Sequence, residues 1–327
     1  MKSINLQQTG GLETLRVQES PDIKPLPGMI TIDVAFAGVG YVDVMLRRGD
    51  FGPLIPFPIT PGLEVSGYVR EIGEGVEGFH VGQPVAAMLL STFGGYASIV
   101  QAKPEFTIPL DQTSIDMATA AAAIVNLTTA YMAVKQVAKV QPGDQVLVHG
   151  AVGGLGSYLG QVAKRLGAGS VFGTVGHPDK IQHAANLSYD ELFVRSDYVN
   201  QIQQVTKGQG VHAVFDPIGG EMRKQSLEVL RPLGQLVIVG NASGRDDVAQ
   251  SSNELWLRNK TVAGFALGEY SRFAPDEIGK AAGEALQLIA KHGIHTEIFG
   301  IYPLEKASEA HALLETGNTV GKLLLQM

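Results

Sequence analysis

The sequence predicts an α/β protein of two domains, a mostly antiparallel β domain joined to a parallel, doubly wound sheet, and three observations carry that expectation. A glycine-rich turn stands where a buried strand hands over to a helix, in residues 145–156 (QVLVHGAVGGLG). Residues from the start to about Pro109 are rich in glycine, proline and short β-like runs. From about Thr113, strand-length apolar runs alternate with helical patterns, the texture of a parallel sheet covered on both faces.

In chain order, the β-like runs are 29–37 (MITIDVAFA), 65–72 (VSGYVREI) and 96–100 (YASIV), bounded by turn residues. Residues 117–134 carry no charge and approach the length of a membrane span. Alanine and threonine dominate them and Asn126 interrupts them, so the expectation is a packed helix. Strands are expected at 145–149, 171–175, 213–216, 235–239 and 261–267. After the glycine turn, residues 157–167 (SYLGQVAKRLG) keep helical period and stop at Gly167. The chain closes with a helix at 304–314, a turn at Gly317-Asn318 and a strand at 322–326. Residues 1–118, completed by 296–327, are expected to form the β domain, and 119–295 the parallel-sheet domain.

The turn has a specific chemistry. Ala151, Gly153 and Gly156 occupy the three positions of G-x-G-x-x-G, with alanine in place of the first glycine. Such a turn lets the backbone approach a pyrophosphate, whose charge rests on the free N–H groups of the helix N-terminus. An acid that reads the ribose 2′-hydroxyl stands roughly twenty residues further on. Here Val175 and Gly176 stand there, and His177, Lys180 and Arg195 are nearby cations, which favours NADPH over NADH. The plainer reading makes Lys180 a solvated residue of a surface helix. Asp216, just before Pro217, reads as a turn or helix-cap residue rather than a catalytic one. The histidines do not cluster, and His149 reads as a structural end to its strand.

Bulk properties bound the rest. At 327 residues, two buried cores are affordable, and 45% hydrophobic and 17% charged residues with a net charge of -7 describe a soluble globular protein. Nucleic acid and acidic membranes are not expected partners. The absence of cysteine excludes disulfides, thiolate catalysis and cysteine-ligated zinc. With a polar N-terminus (MKSINLQQ) that lacks a signal peptide's apolar core, the expected location is cytoplasmic.

Several segments together resemble the medium-chain dehydrogenase/reductase superfamily, in its zinc-free quinone oxidoreductase branch of ζ-crystallin type. They are 37–43 (AGVGYVD), 60–67 (TPGLEVSG), 127–131 (LTTAY), the glycine turn, 173–176 (GTVG), 240–244 (GNASG), 303–307 (PLEKA) and 320–322 (VGK). The resemblance spans almost the whole chain and implies a GroES-like β domain, an inserted Rossmann domain and an active site in the cleft between them. It implies that Thr128 and Tyr131 border the nicotinamide half of NADPH and that Gly153, Gly154 and Leu155 hold its pyrophosphate. Gly176 and Lys180 would flank the 2′-phosphate, and Asn241, Phe265 and Leu267 would line the far side of the nicotinamide. Tyr41 is a candidate hydrogen-bond donor to substrate, with interdomain packing as the alternative, and Asp43 either acts at the site or only orients its loop.

Departures from the family pattern sharpen the expectation. The zinc positions of the alcohol dehydrogenases correspond to Gly40, Leu63 and Val125, none of which can bind a metal. Relatives often carry asparagine and tyrosine where this chain has Gly40 and Met45, which points to a more apolar pocket. Phe51 stands where thioester-reducing relatives hold a proton-donating tyrosine. Without metal or thiol, such a site works by positioning, and it suits quinones or conjugated carbonyls, which delocalise the charge arriving with hydride. The alternatives are an NADPH-binding protein with a structural, transport or regulatory role, and an enoyl-thioester reductase. The run 261–267 is a candidate edge strand, so a homodimer is expected.

Overall fold

The computed structural model describes residues 1–90, 92–245 and 248–327. The chain divides into two compact units, Met1–Thr128 with Leu267–Met327, and Thr129–Ala266. Strands β1 (Lys2–Ile4), β2 (Val17–Glu19) and β3 (Ile30–Val39) are followed by helix α1 (Tyr41–Arg48), β4 (Glu64–Ile72), β5 (Pro84–Met88), β6 (Ile99–Ala102), β7 (Thr107–Pro109) and helix α2 (Met117–Met132). The second unit runs β8 (Gln145–His149), α3 (Gly156–Arg165), β9 (Ser170–Val175), β10 (Glu191–Val194), α4 (Tyr198–Val205), β11 (Val211–Asp216), α5 (Met222–Val229), β12 (Leu230–Ile238), α6 (Ser252–Leu257) and β13 (Thr261–Gly264). The chain then returns to the first unit through α7 (Leu267–Tyr270), α8 (Pro275–His292), β14 (Ile298–Pro303), α9 (Ala307–Glu315) and β15 (Lys322–Gln326).

In the first unit, seven described strands form one sheet in the order β14-β15-β3-β4-β5-β7, with β6 also on β3. All its pairs are antiparallel except β14 with β15. Alternating residues of these strands, among them Ile30, Ile32, Val65, Val69, Val85 and Leu323, fill one hydrophobic core. Glycine is required at position 67, where a Cβ would overlap the Asp33 carbonyl oxygen beside a register shift between β3 and β4.

In the second unit, six described strands form a wholly parallel sheet in the order β10-β9-β8-β11-β12-β13. Burial on both faces explains the uninterrupted apolar runs, with Val146, Leu147 and Val148 of β8 all fully buried. The strand order reverses between β8 and β11, and open α/β sheets bind ligands beyond the carboxyl ends of the strands at such a point.

The unit boundaries differ from the sequence-based ones at 118/119 and 295/296. The first of those falls inside α2, and α8 packs on the segment 104–109 of the first unit. That contact is close enough that a Cβ on Gly279 would overlap the Glu105 carbonyl oxygen. The strand expected over 261–267 stops at Gly264 because its neighbour β12 ends opposite it at Ile238, and Leu267 instead opens α7. Helix α1 and strands β10 and β14 were not anticipated. The apolar helix Met117–Val137 is long and apolar enough to cross a membrane, and 72% of its most apolar window is buried in the protein.

Candidate active site

The turn between β8 and α3 is built from backbone contacts. Gly150 takes a left-handed conformation (φ 65°), and its carbonyl accepts the Gly153 amide at 2.9 Å. A Cβ on Gly156 would overlap the Gly150 carbonyl oxygen and stand 2.8 Å from its carbon, so strand end and helix start touch directly. Among the described residues, the amides of Gly154 and Leu155 find no backbone acceptor. Both residues are only half-buried, which leaves two donors at a helix N-terminus open to an anion. Ala151 fits where the fingerprint has glycine because its neighbour on β9 is Gly173, whose Cβ, if present, would lie 2.6 Å from that of Ala151.

Beyond the carboxyl ends of β9 and β10, cations gather. Arg195 is tied to β9 by its amide, which donates to the Val175 carbonyl at 2.9 Å. Its guanidinium would stand 3.7 Å from a Cβ on Gly176. Burial holds the Lys180 amine below its usual range, and neighbouring Arg195 adds to the effect. Arg195 is itself lowered by burial and by Arg245, with Asp216 opposing. Arg245 was missed in the sequence because it belongs to the loop after β12, far along the chain from the turn. Lys180 lies in a 3-10 segment, Pro178–Ala184, and is half-buried rather than fully solvated.

The remaining predicted residues of this unit frame the same end of the sheet. Asp216 is fully buried and accepts the Ile218 and Gly219 amides at 2.8 and 3.0 Å, the turn role expected of it. Asn241 follows β12, where its side-chain amide donates to the Arg245 carbonyl at 3.2 Å. Phe265 follows β13, with its amide on the Ile238 carbonyl at 2.9 Å. Tyr131 is buried, and its hydroxyl accepts from Lys135 one helical turn on, where α2 passes into a π-helical turn.

His149 is structural. Its Nδ1 and Nε2 lie 2.9 Å from the Thr174 and Ser226 hydroxyls, and its ring packs edge-on against Tyr198. Ser226 donates its own proton to the Met222 carbonyl, so Nε2–H donates to Ser226 and Nδ1 accepts from Thr174. Burial pushes its pKa down to about 4. In the first unit, burial also lowers that of His311 to about 3 and raises that of Asp43 to about 6.

A depressed histidine stabilises the fold fully above about pH 6.5 and ceases to do so as pH falls through its folded value. A raised aspartate acts oppositely, with its contribution present below pH 3.8 and lost as pH rises through 6. Between pH 6 and 4, His311 and Asp43 therefore offset one another in the first unit. His149 leaves the second unit losing about 1.4 kcal/mol per pH unit. Urea unfolding followed by hydrogen exchange across this range should show the second unit weakening first, and His149→Gln should flatten its slope. Equal acid sensitivity of both units would contradict this account.

In the first unit, Asp43 is buried on α1 and clamps two loops, accepting the Gly40 and Gly62 amides at 2.8 Å each. This is the loop-orienting role, carried out from a helix rather than from within the loop. The Tyr96 hydroxyl lies 3.4 Å from Asp43 and 2.9 Å from His311 Nε2. Beside Gly40, the Lys322 ammonium stands 3.7 Å from where a Cβ would be, held in an ion pair with buried Glu64. The second carboxylate oxygen of Glu64 accepts the Val125 amide at 3.0 Å. Tyr41 opens α1, half-buried, with its hydroxyl hydrogen-bonded to Arg48. Thr128 is fully buried and donates to the Ile124 carbonyl at 2.5 Å, and Leu267 is buried at the start of α7.

Residues 26–112 match the alcohol dehydrogenase GroES-like domain, and residues 154–291 match the zinc-binding dehydrogenase family. A 2-haloacrylate reductase of a Burkholderia species is 31% identical, over 98% of this chain and 97% of that protein. Quinone oxidoreductase of Escherichia coli in complex with NADPH superposes with a TM-score of 0.92 at 28% identity, covering 100% of both chains. The chain belongs to the medium-chain dehydrogenase/reductase superfamily, in its quinone oxidoreductase branch. Another relative of this reductase is the human synaptic vesicle membrane protein VAT-1 homolog, 29% identical over 99% of this chain and 86% of that protein.

The match to a zinc-binding family raises the question of a metal in this medium-chain reductase. Its Gly40, Leu63 and Val125 offer no side-chain donor. Among the described residues, no group of three His, Asp or Glu side chains could hold a metal ion. The charged groups near Gly40 are the Asp43 carboxylate, engaged by the Gly40 and Gly62 amides, and the Lys322 ammonium, paired with Glu64.

Proposed function

We propose that this chain is an NADPH-dependent reductase that delivers hydride to quinones or α,β-unsaturated carbonyls without zinc. The observation that carries the reading is the Arg195 guanidinium beside Gly176, with Lys180 and Arg245 close enough to repel it, at the carboxyl end of a parallel sheet whose central turn presents free amides. Like charges held together are costly, and a 2′-phosphate at that point relieves the repulsion. NADPH, when bound, supplies the hydride. The open amides of Gly154 and Leu155, with Gly153 letting the backbone approach, would take the pyrophosphate, while Thr128, Tyr131, Asn241, Phe265 and Leu267 would contact the nicotinamide half. Because Arg48 can only donate, the Tyr41 oxygen accepts this hydrogen bond and its phenolic proton is left to be donated to a reduced product.

NADPH is expected to bind at least tenfold tighter than NADH, about 1.4 kcal/mol, and Lys180→Glu should reduce that preference. Equal affinities in the unmodified protein, by titration of cofactor fluorescence, would overturn the assignment. For the reaction, kcat/KM is to be compared for a benzoquinone, a short enone, an enoyl thioester and a simple alcohol with NADP⁺. The conjugated small molecules should turn over fastest, and prolonged chelation should leave the rate unchanged. Faster thioester or alcohol turnover, or loss of stoichiometric zinc together with activity, would refute the substrate class or the metal independence.

The similarity to the human VAT-1 homolog supports a second reading, an NADPH-binding protein with a structural, transport or regulatory task. NADPH binding without turnover across the panel would select it. We place the protein in the cytoplasm as a homodimer joined through β13, which is an edge of the parallel sheet. A monomeric mass in light scattering at micromolar concentration would exclude that assembly.

A further inference from the structure

Tyr189 occupies an unusual place in the second unit. It precedes β10, yet its hydroxyl donates to the carbonyl of Gly156, the first residue of α3, at 2.6 Å. The same hydroxyl lies against Gly160, 2.8 Å from where a Cβ on that residue would be. Gly156 and Gly160 are the two ends of one i→i+4 step, so the phenol hydroxyl bonds one end of a single helical turn and packs against the other.

The ring reaches that position only because two glycines make room for it. A Cβ on Gly160 would stand 2.5 Å from Tyr189 Cζ and 2.8 Å from its hydroxyl, and a Cβ on Gly173 would stand 2.9 Å from Cε1. The backbone is turned to aim the ring there, with Ser188 in the left-handed region (φ 61°). Asp190 fixes the other side: its amide donates to the Val171 carbonyl at 2.8 Å, and its carboxylate accepts the Val171 amide at 2.7 Å and the Lys164 ammonium at 2.8 Å.

Two phosphate-facing elements meet through this residue. On one side is the first turn of α3, at whose N-terminus stand the open Gly154 and Leu155 amides proposed to take the pyrophosphate. On the other is the short stretch from Lys180 to Tyr189, packed inward through buried Ala184 and Leu187. We propose that Tyr189 is a cofactor-positioning residue, locked into the notch of Gly160 so that the pyrophosphate turn and the Lys180 segment are held in register. It acts through α3 and touches no reacting atom. The inference rests on the NADPH reading, and its test separates the two.

Tyr189→Phe keeps the ring and removes the hydrogen bond to Gly156. Its dissociation constants for NADPH and NADH are expected to rise threefold to tenfold, with faster hydrogen exchange over residues 157–163 in the cofactor-free protein. Gly160→Ala drives the ring out and should weaken NADPH at least as much, with a lowered Tm. Combining Gly160→Ala with Tyr189→Ala removes the clash, so Tm should recover relative to Gly160→Ala while NADPH affinity stays low. A purely space-filling tyrosine predicts otherwise: cofactor affinity within twofold of the unmodified protein in Tyr189→Phe, or recovery of affinity along with Tm in the double variant. Either result overturns the proposal while leaving the NADPH reading intact. Failure of the unmodified protein to bind NADPH or NADH overturns the NADPH reading and this inference with it.

Discussion

Glu64→Ala is expected to destabilise the first unit by about 3–5 kcal/mol, because it leaves the Lys322 ammonium buried without its counter-ion. Both side chains are nearly inaccessible, at 5% and 3% exposure, so water cannot readily replace the lost carboxylate. The substitution also removes the acceptor of the Val125 amide. Gly38 packs so closely on this carboxylate that a Cβ there would stand 2.5 Å from Oε1, which leaves little freedom to repack. Adding Lys322→Met should restore part of the loss, since it removes the buried ammonium that Glu64→Ala leaves unpaired, while the space vacated by the carboxylate stays unfilled. Urea unfolding of the two single variants and the double variant gives the coupling. Additive losses would show that the two groups do not act as a pair.

Gly156→Ala is expected to lower NADPH affinity roughly a hundredfold, about 2.7 kcal/mol. The added methyl would overlap the Gly150 carbonyl oxygen, a backbone atom that cannot rotate away, so α3 must retreat from the turn. The open amides of Gly154 and Leu155 would move with it, away from the site where a pyrophosphate needs them. Isothermal titration with NADPH measures the loss. Affinity within threefold of the unmodified protein would mean that the pyrophosphate does not rest on this turn.

What could be read from the sequence follows burial. Strand β8 was legible to the residue, because a strand covered on both faces must be apolar throughout. Edge strands carry no such demand: β14 alternates half-buried and exposed residues and includes Gly300 and Pro303, so its pattern resembles a loop. Helix α1 was hidden because its N-cap is Gly40, with the cap supplied from within by Asp43 reaching back to the Gly40 amide. The overlong estimate for 261–267 shows the limit of periodicity, which cannot see where a neighbouring strand ends. At the proposed site, Gly153, Gly156, Gly176 and Lys180 could be named from the sequence because the candidate phosphate turn and the segment after β9 are local. Arg245 and Tyr189 were not, since only the folded chain brings distant loops to α3 and β9.

The contact between Ala151 and Gly173 bears on how dinucleotide fingerprints should be searched. A pattern demanding three glycines within one turn discards this chain at its first position, although the space that glycine would have provided is present. It has been transferred across the sheet, to the neighbouring strand. The quantity the turn requires is then a volume shared by two positions, and a search that scores residues 151 and 173 jointly would retain sequences that a linear motif rejects. Gly173→Ala should lose only part of its cost when Ala151 is returned to glycine, because its Cβ would also meet Leu192 and Tyr189, and the Tm values of the two single variants and their combination would expose the shared part.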